Sequence, residues 1–228
     1  MFGIGGPKRP KMVAFDIIGT VFPMEPLRPS VVALGLPPSG LEAWFAAGCR
    51  DAFAMAAAAD FEPFTTVLEA ALNGVLAEQG LEAPAHKRKA LVKQLETLGA
   101  RDGAREAFAL LIEAGIPVMA LSNGAKSTTK ALLERAELSD LVKEVVSVDE
   151  VKLSKPRAEI YLHAADQAGV EPAELALVAA HPWDINGAAA VGLVTAYLTA
   201  DRPYSRAMRA PVMEGATLPE LARQLIAI

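Results

Sequence analysis

The segment FDIIGTVF, residues 15–22, closes an apolar run with an acidic residue. Asp16 stands near the end of the run that begins at Met12, and Gly19 follows three residues later. A short apolar run that stops at a glycine is typical of a buried strand, so residues 12–18 are predicted to form one. An aspartate at the end of such a strand can serve as a nucleophile or as the cap of a turn or helix.

Composition and charge narrow the class of protein. The chain has 228 residues, of which 52% are hydrophobic and 21% are charged, so it can form one compact domain or one domain with an insertion. Its net charge of −5 predicts no nucleic-acid partner, and the single cysteine, Cys49, excludes an internal disulfide. No membrane association, no secretory signal in residues 1–11 and a cytoplasmic location are expected.

The order of predicted elements indicates an α/β fold with a helical insertion. Residues 22–39 are rich in proline, and the block after them predicts helices at residues 41–59, 64–78 and 85–98. Beyond residue 101, strands are predicted at residues 116–121, 143–148, 175–180 and 193–198, the last of them being the final strand. The helices predicted between and after these strands are residues 103–113, 126–136, 158–168, 185–191 and 218–226. This alternation predicts a parallel sheet wrapped by helices, with the helical block inserted after the first strand.

Polar residues follow four of the predicted strands. Because ligands bind at the carboxyl ends of parallel strands, we expect these side chains to converge. They are Asp16, Ser122, Asn123, Lys152, Lys155, His181 and Asp184. Each of them alone suits an ordinary role such as a helix cap or a surface cation, but their shared position favours a site.

These residue types suggest a nucleophile with an anion-binding loop. A lysine such as Lys155, in a loop stiffened by Pro156, would keep Asp16 ionised and oriented. Ser122 and Asn123 are predicted to open a helix, where free backbone N–H groups could hold an anion.

Four segments carry a family resemblance. FDIIGTVF (15–22), LSNGA (121–125), KLSKPRAEIY (152–161) and VAAHPWDINGA (178–188) resemble, in order and spacing, the signature segments of the haloacid dehalogenase superfamily. The resemblance implies a Rossmann-like core, residues 1–21 and 99–228, with a helical cap at residues 22–98. It also implies Asp16 as the nucleophile, Lys155 as its charge partner and Asp184 as the last acid of the site.

Two departures single out one branch of that superfamily. Most members are magnesium-dependent phosphatases with a general acid two residues after the nucleophile and a metal-binding acid four residues before the last aspartate. Here these positions hold Ile18 and Ala180. The 2-haloacid dehalogenases share both departures, and the chain resembles them more closely. The resemblance implies that no metal or other cofactor is used, that Asp16 displaces halide to form an ester, and that Asp184 positions the water that hydrolyses it.

The resemblance also implies residues that contact a small anionic carboxylic acid. Ser122, Asn123 and Thr20 are expected to bind the substrate carboxylate or to support Asp16. Tyr161 matches a tyrosine of the same branch.

Further residues are expected to line the site or to replace an arginine of the branch. Ile18 and His181 are expected to line the site, although the branch has an asparagine where His181 stands. The branch's halide- and carboxylate-binding arginine would fall near Phe45, so Arg28 or Arg50 is expected to replace it. Arg50 could instead pair with neighbouring acidic residues.

Two alternatives to a dehalogenase stay open at this point. A phosphatase with an altered acid would hydrolyse phosphate esters with magnesium. A dehalogenase-like protein that binds without turnover is favoured by the misfits at Phe45 and Ala179. The resemblance favours a homodimer.

Overall fold

A computed structural model describes residues 6–199 and 203–228. Within these ranges the strands are β1 (Met12–Asp16), β2 (Val118–Ser122), β3 (Val142–Ser147), β4 (Leu175–Ala179), β5 (Val194–Leu198) and β6 (Met213–Gly215). The helices are α1 (Arg28–Val32), α2 (Gly40–Ala57), α3 (Phe64–Glu78), α4 (Ala85–Lys93), α5 (Ala104–Glu113), α6 (Lys126–Arg135), α7 (Ala158–Ala168), α8 (Pro182–Ala190) and α9 (Leu218–Ile226). Part of the amino-terminal segment tested for a secretory signal, residues 1–5, lies outside the described residues.

The six strands form one parallel sheet in the order β3-β2-β1-β4-β5-β6. Strands β2 and β3 lie on one side of β1, and strands β4, β5 and β6 lie on the other. The strand order therefore reverses at β1, which is where α/β sheets place their ligand sites. Asp16, the last residue of β1, lies beside Leu121 of β2. This arrangement confirms the predicted α/β class.

Helices cover both faces of the sheet because successive strand residues point to opposite sides. Val13 and Phe15 of β1 join one apolar core, whereas Met12 and Ala14 join the other. The first core continues into the helices inserted between β1 and β2, so a single apolar cluster links sheet and insertion.

The inserted helices α2 and α3 pack closely. Gly48 of α2 meets α3 so tightly that a Cβ atom there would lie 2.5 Å from Leu68. The buried Trp44 donates its indole N–H to the Leu68 carbonyl at 2.7 Å.

The division into a core and a cap at residues 22 and 98 stays a prediction. In the described ranges, no helix is long and apolar enough to cross a bilayer.

The structure corrects the prediction that the strand at residues 193–198 is the last. A sixth strand, β6, pairs with β5 at the sheet edge. Its three residues are too few, and two of them too exposed, to give a strand pattern in the sequence.

Other differences concern element boundaries. The proline-rich segment contains α1, whose first turn accepts Pro29. Likewise α8 begins at Pro182, three residues before its predicted start, because proline fits the first turn of a helix. The helix predicted at residues 85–98 ends at Lys93 and continues as a single tighter turn, Gln94–Thr97.

Candidate active site

Asp16 is the last residue of β1, and the Thr20 side chain contacts its carboxylate. The Thr20 hydroxyl donates to Asp16 Oδ2 at 2.7 Å, and the Ala180 backbone N–H donates to the Thr20 oxygen at 2.9 Å. Asp16 is 4% exposed. The structure thus supports the expected link between Thr20 and the nucleophile candidate.

A tight turn after β1 brings Thr20 back beneath Asp16. Gly19 adopts a φ of +89°, and a Cβ atom there would lie 2.6 Å from the His181 ring. Only glycine fits both the backbone conformation and this close approach. Arg101, which the sequence analysis did not select, holds the turn from outside by donating to the carbonyls of Thr20 at 2.9 Å and Gly19 at 3.1 Å.

Lys155 is fully buried and donates to three acceptors. Its Nζ lies 3.0 Å from Asp16 Oδ1, 2.8 Å from Asp184 Oδ2 and 2.7 Å from the Leu121 carbonyl. Burial alone would lower the pKa of Lys155, but the two carboxylates outweigh it and raise the pKa above its ordinary value. The side chain therefore stays a cation that fixes the orientation of Asp16.

The loop that presents Lys155 is itself fixed. The Lys155–Pro156 peptide bond is cis, and the Lys155 backbone N–H donates to Asn123 Oδ1 at 2.9 Å. The loop after β2 and the loop before α7 are thus joined beside Asp16.

Asp184 and Tyr161 form a buried pair behind Lys155. The Tyr161 hydroxyl donates to Asp184 Oδ1 at 2.6 Å, while Lys155 occupies Oδ2. Burial raises the pKa of Asp184, and the two donors limit that rise. Burial beside Asp184 also raises the pKa of Tyr161 well above 10, so its hydroxyl acts as a neutral donor. Both residues support Lys155, and neither lines the cavity described below.

Ser122 is the last residue of β2, and Asn123 lies in the loop that follows it. The prediction that they open a helix is wrong, because α6 begins at Lys126. Ser122 Oγ accepts the Gly124 backbone N–H at 2.9 Å, so it closes a local turn. Asn123 Nδ2 is buried without a hydrogen-bond partner. An unpaired buried amide donor is costly, which suggests that a ligand or a water completes it.

His181 lies on the other side of Asp16. Its Nε2 is 2.9 Å from the Ile18 carbonyl, which can only accept, so Nε2 carries the proton. The same nitrogen is 3.5 Å from Asp16 Oδ2. The ring stacks on Trp183 with centroids 5.0 Å apart and packs against Phe45 of α2 at 5.4 Å.

A small cavity of about 10 Å³ opens at Asp16, enough for about one water molecule. Its walls combine polar groups of the sheet edge with aromatic rings from the inserted helices. The lining residues are Asp16, Ile18, Phe45, Phe64, Ser122, Asn123, Gly124, His181 and Trp183. Five predicted site residues therefore meet in one space: Asp16, Ile18, Ser122, Asn123 and His181.

Two aromatic residues that line this cavity, Phe64 and Trp183, were not predicted from the sequence. Phe64 opens α3 and meets Phe45 edge-on, with centroids 6.3 Å apart. Only the position of Trp183 between His181 and Asp184 could have signalled its role. An aromatic residue at the start of a helix otherwise resembles ordinary packing.

The structure does not bring Arg28 or Arg50 to the cavity. Arg28 pairs with Glu25 and Glu42 beside the proline-rich segment. Arg50 pairs with Asp51, and its side chain is 68% exposed. The cavity walls thus contain neither of the arginines expected to replace the one missing near Phe45.

The acidic residues near Asp16 do not form a metal cluster. Among the described residues, no three His, Cys, Asp or Glu side chains lie close enough together to hold a metal ion. Ala180 contributes only its backbone N–H, which donates to the Thr20 hydroxyl oxygen.

Comparisons with known proteins find similar sequences and a similar fold. A family model described as haloacid dehalogenase-like hydrolase matches residues 10–192. The chain is 33% identical over 137 residues to (S)-2-haloacid dehalogenase 1 of Pseudomonas sp. (strain CBS-3), which covers 60% of this chain and 59% of the relative. It is 28% identical over 189 residues to the (S)-2-haloacid dehalogenase of Xanthobacter autotrophicus, covering 82% and 74%. The match to the first of these relatives spans less than two thirds of that protein's length.

The fold is also that of a solved structure. The L-2-haloacid dehalogenase from Xanthobacter autotrophicus with chloropropionic acid covalently bound superposes with a TM-score of 0.86 at 23% identity, covering 95% of this chain and 98% of the other. This likeness confirms the fold predicted from the four sequence segments.

Proposed function

Because this chain belongs to the haloacid dehalogenase-like hydrolase family, we propose that it removes halide from small 2-halo carboxylic acids through an ester on Asp16. One observation carries the proposal. Asp16 is held by Lys155 and Thr20 and faces an aromatic cavity in which the position two residues further on is the apolar Ile18. Such a site can orient a nucleophile, but it has no acid at Ile18 to protonate a leaving oxygen.

The first step of the proposed reaction is the displacement of halide by Asp16. One carboxylate oxygen of Asp16 attacks the carbon that bears the halogen, and the carbon–halogen bond breaks as halide leaves with the electron pair. Halide needs no proton, so the absence of an acid at Ile18 costs nothing in this step. Thr20 and Lys155 hold Asp16 in the geometry required for attack.

Hydrolysis then regenerates the enzyme. Water attacks the Asp16 carboxyl carbon, the ester bond breaks, and the products are a 2-hydroxy acid and one proton beside the restored carboxylate. Lys155, 3.0 Å from Oδ1, can stabilise negative charge that develops on this carboxyl group. That Asp184 positions the water stays a prediction. Both of its carboxylate oxygens already accept a hydrogen bond, one from Lys155 and the other from Tyr161.

The substrate carboxylate would lie near the loop after β2. Asn123 lines the cavity and carries an unpaired amide donor, which can bind an oxygen of that group. The cavity holds about one water molecule, so the inserted helices would have to move to admit even a small acid.

The proposal is tested by halide release. Native protein is incubated with chloroacetate, bromoacetate, fluoroacetate and 2-chloropropionate in the presence of EDTA, beside Asp16→Asn. We expect release from at least one acid, unaffected by EDTA, and a loss of roughly a thousandfold or more in the variant. No release from any of the acids would contradict the proposal. Magnesium-dependent hydrolysis of p-nitrophenyl phosphate in the same samples would instead support the phosphatase alternative.

A further inference from the structure

The charges around Asp16 do not favour an anionic substrate. Asp16 and Asp184 supply two negative charges, and Lys155 supplies one positive charge, so the buried cluster has a net charge of −1 when all three are ionised. A carboxylic acid substrate adds a second negative charge a few ångströms away. At such distances repulsion in a partly buried site amounts to several kcal/mol, so the cavity needs another cation.

Among the cavity walls, His181 is the side chain that can supply this cation. Of the nine lining residues, no other has a basic side chain. Arg28 and Arg50 pair with acidic residues elsewhere.

We propose that His181, in its imidazolium form, is the cationic subsite that holds the substrate carboxylate. This assignment rests on the proposed function, because it presumes a carboxylic acid in the cavity. The hydrogen bond from Nε2 to the Ile18 carbonyl is kept in the imidazolium, which gains a second N–H at Nδ1.

Aromatic rings and one carboxylate lie around the His181 ring. The Asp16 carboxylate is 3.5 Å from Nε2, with Lys155 and Asp184 behind it. Trp183, stacked at an interplanar angle of 10°, and Phe45 of α2 are uncharged rings whose π faces attract a cation. Asn123 lines the same cavity and carries an unpaired amide donor, so the carboxylate would meet one charged and one neutral side chain.

This assignment makes the affinity for a carboxylate depend on the His181 side chain. The chain has three histidines, which makes their ring signals easy to separate. His163, which pairs with Glu150 at 2.9 Å on the surface, provides a matched control for substitution.

The experiment is an NMR titration of the histidine rings with sodium acetate, which is not turned over. The His181 signal is assigned by its loss in His181→Gln, and the same titration is run on native protein, His181→Gln and His163→Gln. We expect acetate to shift this signal, and we expect its affinity to fall at least about tenfold in His181→Gln but not in His163→Gln.

Three results would overturn the proposal: no shift of the His181 signal, native affinity in His181→Gln, or an equal loss of affinity in His163→Gln. A shift produced by sodium bromide but not by acetate would overturn the assignment to the carboxylate. The titration needs no turnover, so a protein that releases no halide but binds acetate as described would lose the proposed function and keep this subsite.

Discussion

The ammonium group of Lys155 lies 3.0 Å from Asp16 Oδ1 although the lysine side chain is fully buried. A buried cation is tolerated only when carboxylates and carbonyls compensate it, and here Asp184 and the Leu121 carbonyl complete the set. The pairing therefore serves both the folded structure and the orientation of the nucleophile.

Replacing Lys155 with methionine should destabilise the protein and abolish activity. The change removes the cation but keeps an unbranched chain, and it leaves Asp16 and Asp184 as buried like charges. We expect a loss of about 3–5 kcal/mol in the free energy of unfolding, measured by urea denaturation. Lys130→Met, on the exposed surface of α6, is the control and should change the free energy of unfolding by less than about 0.5 kcal/mol. Equal stability of the two variants would refute the role given to the buried ion pairs.

Replacing Gly187 with alanine should disturb the loop that presents Lys155. A Cβ atom there would lie 2.7 Å from both the Pro156 Cβ and the Tyr161 hydroxyl oxygen. We expect a loss of about 1–3 kcal/mol in unfolding free energy, and a lower kcat because Lys155 is displaced.

The control for Gly187 is Gly74 in α3, where an added Cβ meets nothing within 4 Å. Gly74→Ala should raise the unfolding free energy by about 0.5–1 kcal/mol and leave kcat unchanged. If Gly187→Ala behaves like Gly74→Ala, the close packing behind Lys155 does not matter for the site.

Replacing Phe45 with alanine should widen the range of accepted acids. The Phe45 ring packs on Phe64 and His181 and forms part of the cavity wall. We expect kcat/KM for 2-bromobutyrate relative to chloroacetate to rise about tenfold, because the larger side chain gains room. Phe53→Ala removes a ring of the same helix that contacts Trp183 without lining the cavity. An unchanged substrate ratio in Phe45→Ala, or an equal change in Phe53→Ala, would contradict the assignment.

Cys49 should make the folded protein sensitive to alkaline pH. Burial raises the pKa of its thiol from 9.0 to about 12, so the unfolded chain releases this proton at a lower pH than the folded one. Stability from this difference is complete below pH 9.0 and is lost as the pH rises toward about 12. At about 1.4 kcal/mol per pKa unit, the full loss approaches about 4 kcal/mol.

Urea unfolding of native protein and Cys49→Ala across this pH range isolates that effect. Lys155 and Tyr161 titrate in both proteins, so only Cys49 contributes to the difference between them. The stability of Cys49→Ala relative to native protein should improve as the pH rises. A constant difference would show that Cys49 does not titrate differently in the two states.

The sequence predicted the sheet and the polar residues at its edge because both depend on local pattern. Strands of five or six residues, separated by helices, lead to one parallel sheet, and that sheet brings Asp16, Ser122, Asn123 and His181 together. The three-residue strand β6 carries too few residues to give such a pattern.

The cavity walls could not be predicted in the same way. Phe64 and Trp183 come from elements far apart in the chain, and only tertiary packing makes them neighbours of Asp16. The expectation for Arg28 took account of charge and sequence position but not of nearby acidic partners. For Arg50, pairing with a neighbouring acidic residue was the alternative, and the structure shows that pairing with Asp51. Both arginines pair with carboxylates close to them in space, and neither lines the cavity.

The most direct test of the account is a single turnover in H₂¹⁸O with protein in excess over a haloacid that supports halide release. Water should attack the Asp16 carboxyl carbon, so mass spectrometry should find ¹⁸O in the peptide that contains Asp16, while the first 2-hydroxy acid released carries none. Label in that first product, with none in the Asp16 peptide, would mean that water attacks the substrate directly and that Asp16 forms no ester.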